Sequence, residues 1–158
     1  FYPLAYYCAY FSIRADAFDY EKMAMGRERL EYYLDIYKAK KADGTIEKTE
    51  LDEYKDMRIV QEMYARGYEF TPIDIYKAKA RSFQIIDGKI MPSFKVVSKI
   101  GESAGESIEI AARGGKFLSK DDLRQRAKIG QTVIDKLSEL KLLDGMAESN
   151  QLSLFDVL

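Results

Sequence analysis

The chain has 158 residues, 47% of them apolar, and a formal net charge of −1. That length fits one ordinary domain or two small ones, and no apolar run approaches the ~20 residues of a bilayer span, so the composition reads as soluble. There is no histidine and a single cysteine, Cys8. This removes Ser-His-Asp and Cys-His nucleophile chemistry, most zinc sites and any intrachain disulfide, and it fits a reducing cytoplasm.

The aromatic start, with Phe1, Tyr2, Tyr6, Tyr7, Tyr10 and Phe11, lacks the basic lead and small-residue cleavage site of a signal peptide. It reads as a cut inside a longer protein. Residues 3–14 predict the end of a buried helix, apolar almost all round. "DAFD" at 16–19 supplies a break, with Asp19 as N-cap of one long amphipathic helix to about Lys41. In that helix Leu30, Tyr33, Leu34 and Tyr37 recur at helical spacing. "ADGT" at 42–45 is a turn. Thr49 and Asp52 form a capping-box-like start for the next helix, whose stripe is Leu51, Tyr54, Met57, Val60, Met63 and Tyr64, with Gly67 as its left-handed stop. "SFQIIDGKIMPSF" then places two β-prone runs around Asp87-Gly88, a strong hairpin signal. From Pro92 the pattern returns to short helices, with a soft boundary near 90–93.

Charge varies along the chain. Residues 1–91 hold 15 Lys/Arg against 16 Asp/Glu, residues 92–146 hold 10 against 8, and the rest has only Glu148 and Asp156. A mildly basic module is followed by an acidic tail, compatible with phosphate contact by a few positioned groups. Arg14, Arg27, Arg29, Lys77, Lys79 and Arg81 default to solvated charges, although Lys77, Lys79 and Arg81 alternate along a β-prone run and could line one face towards a duplex.

Lys-Ile-Gly occurs twice, at 99–101 and 128–130, each time before a helical run. In the first copy Phe94 and Val97 belong to the helix before, Ile100 pins the turn, and Ile108 and Ala111 lie on the inner face of the helix after. Gly101 lets the backbone take an unusual φ and approach something outside. In the second copy Leu123, Ile129, Gly130, Ile134 and Leu137 take the same places. The first amides of each following helix lack an intrahelical acceptor and carry the positive dipole end, so each turn is an anion site. The predicted phosphate-binding residues are Lys99, Ile100, Gly101, Ser103, Lys128, Ile129, Gly130 and Thr132. Ser119 and Asp122 cap the intervening helix, and Asp121 and Asp122 read as first-turn carboxylates rather than catalytic acids.

This spacing resembles the helix-hairpin-helix motif in tandem, with Lys99 and Lys128 where the motif usually has its first glycine, and Gly105 and Ile134 at its usual alanine. The resemblance implies hairpin amides on the backbone phosphates of double-stranded DNA, without sequence readout. The tail "QLSLF", Gln151, Leu152, Ser153, Leu154 and Phe155, closely resembles the pentapeptide that docks bacterial proteins on the sliding β clamp. Leu152, Leu154 and Phe155 would enter an apolar cleft with Gln151 at its rim. Each buried side chain yields about 1.5–3 kcal/mol, much of it consumed by ordering the tail.

"YYCAYFSIRADAFD", "ARGYEFTPIDIYKAKARSFQIIDGKIMPSF", "FLSKDDL" and "QLSLF" together resemble the C-terminus of PolC-type replicative DNA polymerases. The resemblance implies a mainly α fold in three parts. Residues 1–91 would be a fingers-like helical segment with a small β-hairpin, 92–146 a tandem helix-hairpin-helix duplex-binding module, and 147–158 a flexible clamp-binding tail. It implies as partners duplex DNA, the sliding clamp and the rest of the polymerase chain, with no membrane and a cytoplasmic location. The family uses Mg²⁺ and deoxynucleoside triphosphates, but Asp16, Asp19, Asp121 and Asp122 do not match its metal-binding aspartates. No cofactor and no catalytic residue is therefore expected in this stretch, which should be inactive alone. A competing reading makes the helices a scaffold, a protein-interaction module that presents the tail without touching DNA.

Overall fold

The computed structural model describes residues 3–149. The chain is mainly helical, with one small antiparallel hairpin, as the sequence predicts. Helix α1 (Pro3–Ile13) opens on a proline, whose missing amide and fixed φ suit a first helical turn. Tyr7 and Phe11 are its buried side chains. A short 3-10 turn at Ala15–Ala17 follows, and Asp19 caps α2 (Tyr20–Met23) by accepting the Lys22 amide at 3.0 Å.

The single helix expected to about Lys41 is two helices. Gly26 at φ +105° breaks the run, and α3 spans Arg27–Asp43. That φ belongs to glycine. Tyr64 Oη donates to the Met23 carbonyl at 2.8 Å, satisfying a group that the break sets free. Leu30, Leu34 and Tyr37 are buried as the spacing predicts, and Gly44 ends α3 in the left-handed region. Helix α4 (Lys48–Ala65) starts earlier than Thr49-Asp52 implied: Glu47 is the N-cap, and its amide donates to Glu50 Oε1 at 3.1 Å. The other Glu50 oxygen takes Lys40 Nζ at 2.5 Å, so this cap also ties α4 to α3. Deeper between these helices, Lys22, Tyr37 and Glu53 hydrogen-bond one another at 2.5–3.0 Å. Burial, then the Glu53 carboxylate, push the Tyr37 hydroxyl up to about 12.

The β-hairpin pairs β1 (Gln84–Ile86) with β2 (Lys89–Met91), Ile85 opposite Ile90. Asp87 and Gly88 both have positive φ, the left-handed pair that a two-residue turn requires. A third extended piece joins it: Thr71 N–H donates to the Ile90 carbonyl at 2.8 Å and Ile90 N–H to that of Glu69 at 3.1 Å. The segment carrying Lys77, Lys79 and Arg81 is irregular rather than β. The Lys79 and Ala80 carbonyls accept the Phe94 and Lys95 amides at 3.0 Å, holding the chain around Pro92 against it.

Phe11, Phe18, Phe70 and Phe83 meet edge-on or tilted, 5.1–6.0 Å apart, where α1, the break before α2 and the hairpin converge. Such pairs add about 0.5–1.5 kcal/mol each beyond burial. The buried cluster takes in residues from Tyr7 to Leu143, on both sides of residues 90–93. An ion pair between half-buried Glu21 of α2 and buried Lys136 also reaches across that stretch.

Candidate nucleic-acid interface

Two units, each turning at Lys-Ile-Gly into a helix, follow the hairpin. The first was expected to begin with a helix, but only one 3-10 turn, Phe94–Val96, is present. The Phe94 and Lys95 amides already serve Lys79 and Ala80, and Val96, Val97 and Ile100 each bond three residues back, to Ser93, Phe94 and Val97. Three-residue steps give a 3-10 path. The turn leads into α5 (Gly101–Ala112). Phe94, Val97, Ile100 and Ile108 are buried as predicted, and Ala111 is half-buried.

The second unit is complete. Ser119 caps α6 (Lys120–Ala127), its Oγ accepting the Asp122 amide at 3.0 Å while Asp122 Oδ2 accepts the Leu118 amide at 2.9 Å. The chain then passes through Lys128 and Ile129 to Gly130, the N-cap of α7 (Gln131–Glu139). Leu123, Ile129, Ile134 and Leu137 are buried.

At both apices the same order stands: an exposed lysine in the left-handed region, a buried isoleucine, an exposed glycine, then two exposed helical residues. Lys99 has φ +71° and Lys128 φ +54°, a conformation that costs a side-chain-bearing residue about 1 kcal/mol or more. The glycines differ. Gly101 has φ +75°, whereas Gly130 has φ −80° and ψ 166°, extended backbone open to any residue. In the second turn the unusual φ expected of the glycine is carried by Lys128. A Cβ built on Gly101 or Gly130 meets nothing within 4 Å, so both face open space. Ser103 and Thr132 are exposed in their first turns. Helix α6 is different: its Lys120 and Asp121 amides donate to the Ala147 and Glu148 carbonyls at 2.8 and 3.2 Å. The chain's own backbone covers that N-terminus.

Gly105 is a contact that the sequence reading passed over. A Cβ there would lie 2.8 Å from the Phe94 Cβ and 3.6 Å from the Ala80 Cα, so α5 packs closer to the preceding turn than an alanine allows. Arg126 is another. Its guanidinium donates to the Ala111, Gly115 and Lys116 carbonyls at 2.9–3.1 Å and to Asp122 at 3.3 Å, and lies 4.5 Å from the centroid of the Phe117 ring. It clamps the α5–α6 connection. No sequence spacing signals such a role, because its acceptors are main-chain oxygens.

Several of the other charges have partners. Arg14 pairs at 2.7 Å with Asp56, whose side chain is fully buried, and Arg81, on the surface, lies against Glu102 and Glu106 of α5. Asp16 meets Lys95 at 3.2 Å, and Asp121 lies 3.9 Å from Arg124. Among the described residues no group of His, Cys, Asp and Glu could hold a metal ion. Gln151, Leu152, Ser153, Leu154 and Phe155 lie outside the described residues.

A family model described as "helix-hairpin-helix motif" matches residues 67–152. The chain is 38% identical over 156 residues to DNA polymerase III PolC-type of Streptococcus pneumoniae serotype 2 (strain D39 / NCTC 7466), and 40% identical over 154 residues to the protein of the same name from Streptococcus suis (strain 98HAH33). The matches take in 99% and 98% of this chain and 11% and 10% of those proteins. The chain thus spans about a tenth of the length of these curated relatives. With more than half of its residues under the matching model, it belongs to the helix-hairpin-helix motif family, and its homologues are PolC-type polymerases.

Proposed function

We propose that this chain is the portion of a PolC-type replicative DNA polymerase that holds double-stranded DNA by its phosphates. Residues 92–146 grip the duplex, 1–91 form a fingers-like support, and 147–158 tether the polymerase to the sliding clamp in the cytoplasm. The parent chain is the DNA-directed DNA polymerase, with Mg²⁺ bound outside this stretch, and the stretch alone is inactive. The observation that carries the reading is the repeated apex: exposed left-handed Lys99 and Lys128, and exposed residues at the starts of α5 and α7, while the α6 start is covered by residues 147–148. Main-chain donors at a helix N-terminus suit a phosphate oxygen. They contact no base edge, so binding is independent of sequence.

Gly130→Val tests this with little structural cost. Its backbone is already extended, its Cβ points into open space, and the loss of N-cap preference is about 1 kcal/mol or less. The added methyl groups occupy the volume a phosphate would use. Fluorescence anisotropy with a labelled duplex at low salt should show at least a tenfold weaker complex and an unchanged helical circular-dichroism signal. Undiminished binding would remove α7 from the site. The Glu21–Lys136 pair, which links the second unit to the amino-terminal half, favours the scaffold as second reading. That module would show no affinity for duplex at 50 mM salt.

A further inference from the structure

Glu102 and Glu106 put two carboxylates on α5 beside the first proposed phosphate site. Glu102 directly follows Gly101, and Glu106 lies one turn on, so both side chains stand close to where a phosphate would rest. Two acids in the first turns suit the helix dipole, but they oppose a polyanion. Arg81 meets both: its Nε hydrogen-bonds Glu102 and its Nη2 pairs with Glu106. The fork geometry of a guanidinium allows one side chain to serve two carboxylates. The hydrogen bond from Arg81 holds the Glu102 carboxyl below its usual range. Lys95, about half as exposed and bound to Asp16 at 3.2 Å, is another cation acting on Glu102.

We infer that Arg81 is a positioning residue for duplex binding, neutralising Glu102 and Glu106 so that the α5 turn can accept a phosphate, without itself touching DNA. The inference rests on the duplex reading above. Its chemistry differs from a direct lysine contact, because the role exists only while the two acids are present. Ion pairs this exposed contribute little to stability, so Arg81 can be removed without unfolding the chain.

The test compares the 158-residue chain with Arg81→Gln, Glu102→Gln/Glu106→Gln and the triple variant, by anisotropy with a labelled duplex at 100 mM salt and by thermal melting. Two bared carboxylates about one Debye length from a phosphate each weaken its binding roughly two- to threefold. Arg81→Gln should therefore bind about fivefold more weakly, with melting unchanged. The Glu pair variant should bind as well as the parent chain or better, and the triple variant should return to within twofold of the parent. If Arg81→Gln and the triple variant are equally weak, Arg81 contacts DNA directly and the inference is wrong. Parent binding that Arg81→Gln leaves intact also overturns it while sparing the duplex reading. Absence of binding by the parent chain overturns both.

Discussion

Replacing Lys99 and Lys128 together by glycine separates stability from DNA contact. Both lysines sit at positive φ, +71° and +54°, where glycine is unstrained. Substitution relieves about 1 kcal/mol of strain at each site and returns about 0.4–1 kcal/mol through the freer unfolded chain. The terms nearly cancel, and Lys128 terminates α6 where glycine is the usual left-handed stop. Urea unfolding followed at 222 nm should move by less than about 1 kcal/mol per site. DNA binding should move far more. Each neutralised phosphate contributes a log–log salt slope of about −0.9, or roughly eightfold in affinity at 0.1 M salt. The double variant should bind about 60-fold more weakly at that salt, with a slope shallower by about 1.8. Unchanged affinity and slope in a folded double variant would refute the assignment of these lysines to phosphates.

Other outcomes follow from particular contacts. Gly105→Ala in α5, ordinarily worth about 1 kcal/mol to a helix, should instead destabilise by about 1–2 kcal/mol in urea, because its Cβ meets Phe94 at 2.8 Å. Arg126→Ala should cost about 2 kcal/mol by freeing the carbonyls it holds together; a wild-type melting curve would show that the α5–α6 connection needs no clamp. Burial pushes the Asp56 carboxyl above its usual range, partly opposed by Arg14. An acid that ionises later in the folded state favours folding at low pH and loses that advantage as pH rises through its folded pKa. The stability of the parent chain relative to Asp56→Asn should therefore fall as pH rises above the ordinary carboxylate range of about 4, and a gap that widened with pH would contradict it. Leu154→Ala with Phe155→Ala should abolish recovery of the chain on immobilised sliding clamp, and undiminished recovery would remove the tether.

Much of this architecture is legible because it depends on local chemistry. Asp87-Gly88 specifies its turn by the left-handed φ of both residues. Asp19 and Ser119 cap as sequence position suggests, and the apolar periods around Ile100 and Ile129 locate both apices. What sequence hid depends on the third dimension. The break at Gly26 lies in a run whose apolar stripe continues through it, and Tyr64, far away in sequence, satisfies the carbonyl it frees. The cap of α4 moved to Glu47 because Glu50 could serve both its amide and Lys40. The leading helix of the first unit is reduced to one 3-10 turn, in which the Phe94 and Lys95 amides donate to Lys79 and Ala80, residues distant in sequence. Arg81 reads as one of an alternating basic series, and only the fold turns it onto Glu102 and Glu106.

The most direct test is the salt dependence of duplex binding by the 158-residue chain, measured by anisotropy from 50 to 300 mM. Two lysine–phosphate contacts, with any further ones the duplex recruits, predict a log–log slope of about −2 or steeper, a fall of at least 30-fold across that range, and equal affinity for unrelated sequences. Equal affinity at 50 and 300 mM, or no complex at 50 mM, would contradict phosphate binding by these turns.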